Sequence, residues 1–266
     1  AEDALVAKSV AELSGILTSD ESMKLDVQIY TSGVLGSERD LSELVKAGIL
    51  DMAKVSSNAL DKFNNLYGIF ALPYVFQSVE HYYNAMDHSE AIQDLFMSNY
   101  DEGFLAIGWY ASGSRNIYTK SEGPALSPAD LKGKKFRVQQ SATEMRMIEL
   151  MGGSPVPMSA GETYTALQQN IIDGAENTEL ALTVDKHEEL VKSYTYTEHQ
   201  YSPDIYIISK EAWDKLSAEQ QSYMRDSLIV LNENYKGMYD DMIADAVKEA
   251  ESMGVTFYRD IDKTAF

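Results

Sequence analysis

Behind a Ser217/Gln220 capping pair, the apolar residues Tyr223, Met224, Leu228, Leu231, Tyr235, Met242, Ile243, Ala246 and Val247 recur at helical spacing with no proline among them. The spacing predicts one helix of about 35 residues, roughly 50 Å long. Such a helix exceeds the diameter of a single small α/β lobe, so either two lobes share it or it bends at Gly237. Two lobes fit better. No Gly/Ser or proline-rich linker, low-complexity tract or internal repeat divides the chain, which points to lobes that exchange strands. The expected division puts 1–113 and 202–240 in the first lobe, and 114–201 and 241–266 in the second.

The rest of the chain alternates strands and helices. Val6, Val10, Leu13 and Leu17 predict a helix, and Leu25, Val27 and Ile29 alternate with polar neighbours as a half-buried strand does. After the loop Thr31-Ser32-Gly33, Ser37 and Asp40 cap a short helix that stops at Gly48, and a strand follows over 49–55. That order predicts a βαβ unit with parallel strands. Further expected elements are a helix over 80–97, strands over 104–109, 117–119 and 135–138, and later strands over 194–197 and 205–209. Ser127-Pro128-Ala129-Asp130 opens a short turn. Capping boxes Ser141/Glu144 and Ser159/Glu162 start helices on either side of the apolar run Pro155-Val156-Pro157-Met158.

With 266 residues, 44% of them hydrophobic, the chain can bury a sizeable core. Its 42 acidic and 22 basic residues leave a formal charge of −20, which argues against nucleic acid and anionic membrane surfaces as partners. An anionic ligand would need cationic groups focused at one spot. There is no cysteine, which excludes disulfides, thiolate metal sites and a cysteine nucleophile. No stretch is long and apolar enough to span a bilayer, and the start, Ala1-Glu2-Asp3, has no signal-peptide pattern. A removed signal would leave the same absence.

Enzymatic signatures are weak: His187-Glu188-Glu189-Leu190 lacks the second histidine of a zinc helix, and no G-x-S-x-G, P-loop or dinucleotide fingerprint occurs. Arg115 and Arg137 lie in or beside predicted strands, whose ends border the crevice of an open α/β sheet. A guanidinium there matches a carboxylate bidentately. By spacing alone, an ion pair with one of the many acids explains either arginine as well. Asn177 falls in the predicted turn Asp173-Gly174-Ala175-Glu176-Asn177, where its amide suits either a ligand or its own backbone. Gln139, Gln140, Ser56, Ser57 and Asn58 follow predicted strands and suit a polar cleft or an ordinary loop.

The segments Leu35-Gly36-Ser37-Glu38-Arg39, Phe70-Ala71-Leu72-Pro73-Tyr74-Val75-Phe76, Leu131 to Val138, Pro155 to Met158 and Tyr164 to Gln169 with Asp173 to Asn177 occur in an order that resembles a known family. They are similar to the substrate-binding subunits of tripartite ATP-independent periplasmic (TRAP) transporters, the DctP-type proteins, through nearly the whole chain. The resemblance implies an α/β fold: a two-lobed, periplasmic-binding-protein-like clamshell with a long helix spanning both lobes. It further implies that Arg137 forms the salt bridge to the ligand carboxylate, that Asn177 helps hold it, and that Arg115 is the second cleft arginine. Glu38, Ser57, Asn58 and Gln139 match positions facing the ligand from the opposite side. The stretch Arg137 to Ser141, with Ala175-Glu176-Asn177, is similar to the branch that binds hexuronates such as glucuronate and galacturonate. Family members also carry a further first strand ending near a His-Pro turn and a further segment after the position of Phe266, neither of which this sequence contains.

The expectation is therefore an extracytoplasmic or periplasmic monomer, anchored if at all through a region outside this sequence, which needs no cofactor or metal. It would close by a hinge on a small carboxylated solute and deliver it to an integral-membrane TRAP permease. Rival expectations are a lyase or isomerase of sugar acids using Glu38 or His199 as base, a binder of C4-dicarboxylates or other organic acids, and a sensor reporting the solute to a receptor.

Overall fold

The computed structural model describes residues 6–31 and 33–266, so the Ala1-Glu2-Asp3 start and Ser32 of the predicted loop lie outside the described residues. By contacts the chain divides into two compact units. The first takes the chain up to Ser56, with Tyr83–Ala111 and Pro203–Tyr239; the second takes Ser57–Tyr82, Ser112–Ser202 and Asp240–Phe266. Residues 57–82 thus group with the second unit and not with the first lobe expected to hold them. The predicted long helix forms as one element, Ala218–Ser252, 35 residues, and contributes to both units. No described helix is both long and apolar enough to cross a membrane.

The strands in chain order are β1 Met52–Ser56, β2 Phe104–Tyr110, β3 Ser114–Thr119, β4 Lys135–Val138, β5 Ser154–Pro157, β6 Gly174–Asn177, β7 Ser193–Tyr201, β8 Asp204–Ser209 and β9 Thr256–Tyr258. In the first unit β8 runs between β1 and β2, antiparallel to both. Two expectations fail here. No strand forms over Leu25–Ile29: Leu25 and Val27 are half-buried but Ile29 is exposed, and the backbone enters no ladder, so the predicted parallel βαβ unit is absent. The predicted helix over 80–97 is two helices, Val79–His88 and Glu90–Met97, restarted at Ser89. The Ser37/Asp40 box is present, each side chain bonding the other residue's backbone amide.

The second unit is built on a six-stranded mixed sheet in the order β5-β4-β6-β3-β7-β9. β4 is parallel to β5 and β6, and β3 is antiparallel to β6 and β7. Alternation along the strands fills two cores. Tyr118, Ala175 and Tyr194 pack on one face with Leu167, Ile172, Val247 and Ala250. Ile117, Phe136 and Val138 pack on the other with Leu131, Met147 and Ile148. Of residues 173–177, predicted as a turn, Gly174–Asn177 instead form β6 in mid-sheet. The cause is the small residue at Gly174: a Cβ there would lie 2.3 Å from the Tyr118 carbonyl oxygen, so only glycine lets β6 pair with β3 at this point.

Candidate ligand-binding site

The sheet of the second unit brings several of the predicted site residues to one edge. The carboxyl ends of the parallel strands β4, β5 and β6 and the amino end of the antiparallel β3 all finish there, the position at which open α/β sheets bind ligands. That edge gathers Arg115, Arg137, Gln139, Met158 and Asn177.

Arg137, in β4, is 4% exposed. Its Nε donates to the Met158 carbonyl at 3.2 Å, and among the described residues no carboxylate lies within salt-bridge distance of its guanidinium. The groups that feel its charge are two neutral rings, Tyr118 and His187, and two acids, Glu162 and Glu144, neither of which pairs with it. The His187 imidazole, bonded through Nδ1 to the Tyr118 hydroxyl at 2.8 Å, is pushed down to about 4 by burial and then by Arg137. Burial likewise keeps the Tyr118 phenol protonated. The Glu162 carboxylate is engaged with the backbone amide and hydroxyl of Ser159, completing the predicted capping box. A nearly buried cation with one neutral partner is costly unless an anion joins it.

Arg115, 6% exposed, has the opposite environment. Its Nε and Nη2 donate to the two carboxylate oxygens of Glu176 at 2.5 and 2.7 Å, and Nη1 donates to Asn177 Oδ1 at 2.9 Å. Burial raises the pKa of Glu176, but Arg115 outweighs it and holds that carboxyl well below its usual range. His199, fully buried, places Nε2 3.7 Å from the same carboxylate while Nδ1 bonds Thr197 Oγ1. Arg115 is thus occupied by a structural ion pair. It also fixes Asn177: Oδ1 accepts from Arg115 and from the Thr178 amide, leaving Nδ2 without a partner among the described residues and available to an acceptor.

The other predicted residues divide. Gln139 is half-buried at the edge, with its backbone amide donating to Glu144 Oε2 at 2.6 Å and its Oε1 accepting from Asn58 Nδ2 at 2.6 Å. Asn58 is fully buried; Nδ2 also donates to Glu144 Oε1, and Oδ1 accepts from Gln200. Its amide supports Gln139. Ser57 is fully buried against the Ser202 hydroxyl at 3.0 Å. Glu38 belongs to the first unit, where Oε1 accepts from the Ser56 amide at 3.1 Å.

Three groups at this edge escape sequence reasoning: the buried Glu144 and Glu176, and the carbonyl of the half-buried Met158. Glu144 was masked by the Ser141 capping signal. Only half of that box forms, with the Glu144 amide donating to Ser141 Oγ at 3.2 Å while the carboxyl reaches Gln139 instead. Nothing in the sequence marks Glu176 except an acid between two small residues and an asparagine in β6.

A separate hollow of about 230 Å³ in the second unit is lined by Tyr74, Phe76, Gln77, Glu198, Tyr201 and Lys263. Its cation is matched already, since Lys263 Nζ donates to Glu198 Oε2, so it offers no charge to a carboxylate.

Residues 2–266 match the DctP family, described as bacterial extracellular solute-binding protein, family 7. The YiiZ protein of Salmonella typhimurium is 42% identical over 243 residues, 91% of this chain and 74% of its own length. A TRAP periplasmic solute-binding protein of Anaerococcus prevotii, solved with bound D-glucuronate, superposes with a TM-score of 0.92 at 38% identity, covering 97% of this chain and 83% of that one. One from Xanthobacter autotrophicus, solved with bound β-D-galacturonate, gives 0.90 at 31% identity, covering 97% and 85%.

Proposed function

The chain belongs to family 7 of the bacterial extracellular solute-binding proteins, the DctP family, and from that premise we propose that it captures a hexuronate in the periplasm and hands it to the membrane permease of a TRAP transporter. The observation that carries the reading is Arg137: a guanidinium 4% exposed, on the ligand-bearing edge of its sheet, whose charge no carboxylate of the protein meets among the described residues. A solute carboxylate supplies the missing anion and gains a charge-assisted, bidentate pair in a site with little water.

Asn177 Nδ2 then serves a carboxylate oxygen or a sugar hydroxyl beside it, held in place because Arg115 and the Thr178 amide fix the other end of the amide. The half-buried Gln139 adds a second polar contact. The same arrangement disfavours a C4-dicarboxylate. Arg115 is neutralised by Glu176, so a second carboxylate at this edge would find no cation of its own. Two solved neighbours holding a glucuronate and a galacturonate support the same choice. Hinge closure is part of the proposal, checked by a fall in the radius of gyration in solution scattering when glucuronate is added.

Titration calorimetry with glucuronate and galacturonate tests the site. Arg137→Ala should cost about 2 to 5 kcal/mol, roughly 30- to 4,000-fold in affinity. A loss smaller than about threefold, or product formation from either sugar acid, would remove the reading.

A further inference from the structure

Beside the Arg115–Glu176 pair lies a second carboxyl group without a cation of its own. Glu144, in the first turn of the helix Ala142–Leu150, is completely buried. Its Oε2 accepts from the Gln139 amide at 2.6 Å and its Oε1 from Asn58 Nδ2 at 3.2 Å. The nearest cationic atom, Arg115 Nε, is 3.9 Å away and already donates to Glu176. The other charged and titratable groups that face it are Glu176 from β6 and Arg137 from β4, with His199 of β7 behind Glu176. Across the helix start, Asp61 accepts from the Ser141 and Thr143 hydroxyls. Two buried carboxyls thus share one guanidinium, and in a low dielectric they cannot both ionise readily.

We propose, on the reading that this edge binds a hexuronate, that Glu144 is a positioning residue: its carboxyl fixes Gln139 and Asn58 and shares one negative charge with Glu176, leaving the charge of Arg137 to the solute. The proton resides on Glu144, because Glu176 holds the bidentate contact with Arg115. Burial, and next the charge of Glu176, push Glu144 up to about 8. Below that pH the carboxyl pair cancels Arg115 alone, and the edge presents one net positive charge. Above it, Glu144 releases its proton to solvent, and a second negative charge within range of Arg137 opposes the anionic solute.

Calorimetry with D-glucuronate across pH decides the matter. Wild-type affinity should fall on the order of tenfold or more as pH rises through about 8. Glu144→Gln, which carries no titratable proton, should lose the pH dependence whatever its affinity at neutral pH, since its single amide oxygen can accept from only one of the Gln139 amide and Asn58. Glu144→Leu, which releases Gln139 and Asn58, should bind at least about tenfold more weakly than wild type at neutral pH. Equal pH slopes in wild type and Glu144→Gln would overturn the proposal, as would wild-type affinity in Glu144→Leu; if the leucine variant does not fold, the slopes decide. Infrared spectra without ligand separate the two readings. A protonated-carboxyl band that vanishes above about pH 8 and is missing from Glu144→Gln places the proton as proposed, even if no hexuronate binds and the solute reading falls. Absence of that band overturns the proposal whatever binds.

Discussion

Arg115 and Arg137 are almost equally buried, at 6% and 4% exposure, and stand on strands that share β6 as neighbour, yet one is matched by the protein and the other is not. That difference predicts opposite effects of removing the two side chains. Removing Arg115 strands the Glu176 carboxylate in the interior, so Arg115→Ala should lower stability by about 3 to 5 kcal/mol in thermal or denaturant unfolding. Arg137→Ala removes a buried charge that no protein anion offsets, so its melting temperature should equal or exceed that of wild type while uronate affinity collapses. A variant pair with the stabilities reversed would refute this division of labour. Both arginines were legible as candidates from their strand positions, but which of them is free was not, because Glu176 lies 61 residues from Arg115 in the chain.

At the scale of elements, glycine acts by its place rather than its number. Gly174 sits where β6 meets β3, and a Cβ would press on the Tyr118 carbonyl at 2.3 Å; Gly174→Ala should cost about 1 to 3 kcal/mol or more and disturb the strand that carries Glu176 and Asn177. Gly237 lies inside the 35-residue helix with nothing within 4 Å of its missing Cβ, so Gly237→Ala should raise stability by about 0.5 to 1 kcal/mol. Paired melting curves check both, and the same sign for the two would contradict the argument. The long helix was legible because its apolar spacing and its Ser217/Gln220 cap agree, and the structure makes both halves of that cap. The strand over 25–29 was misread because alternation reports exposure, whereas a strand also needs a neighbour to bond.

For the whole molecule, the buried carboxyl pair gives stability a two-sided pH dependence. Glu176 is depressed below its ordinary value of 4.5, so its contribution is present above that pH and is lost as pH falls further. Glu144 is raised, so its contribution is complete below its ordinary 4.5 and is lost as pH rises from there through about 8. Between those limits the melting temperature of wild type should fall relative to that of Glu144→Gln, and parallel curves across the range would count against a buried protonated Glu144. The net charge of −20 adds general self-repulsion, which salt screens, whereas the buried pair responds little to salt.

From the sequence alone came the α/β class, the single long helix and a short set of polar residues that includes the ones gathered at the sheet edge, because local periodicity, caps and motif order are written in neighbouring residues. Only the tertiary structure decided which strands pair, that residues 57–82 join the second unit, that Asn58 and Ser57 are buried, and which arginine pairs with a carboxylate of the protein. Those outcomes depend on partners brought together from distant parts of the chain, and electrostatic matching in a buried site is fixed by distances that no local pattern encodes.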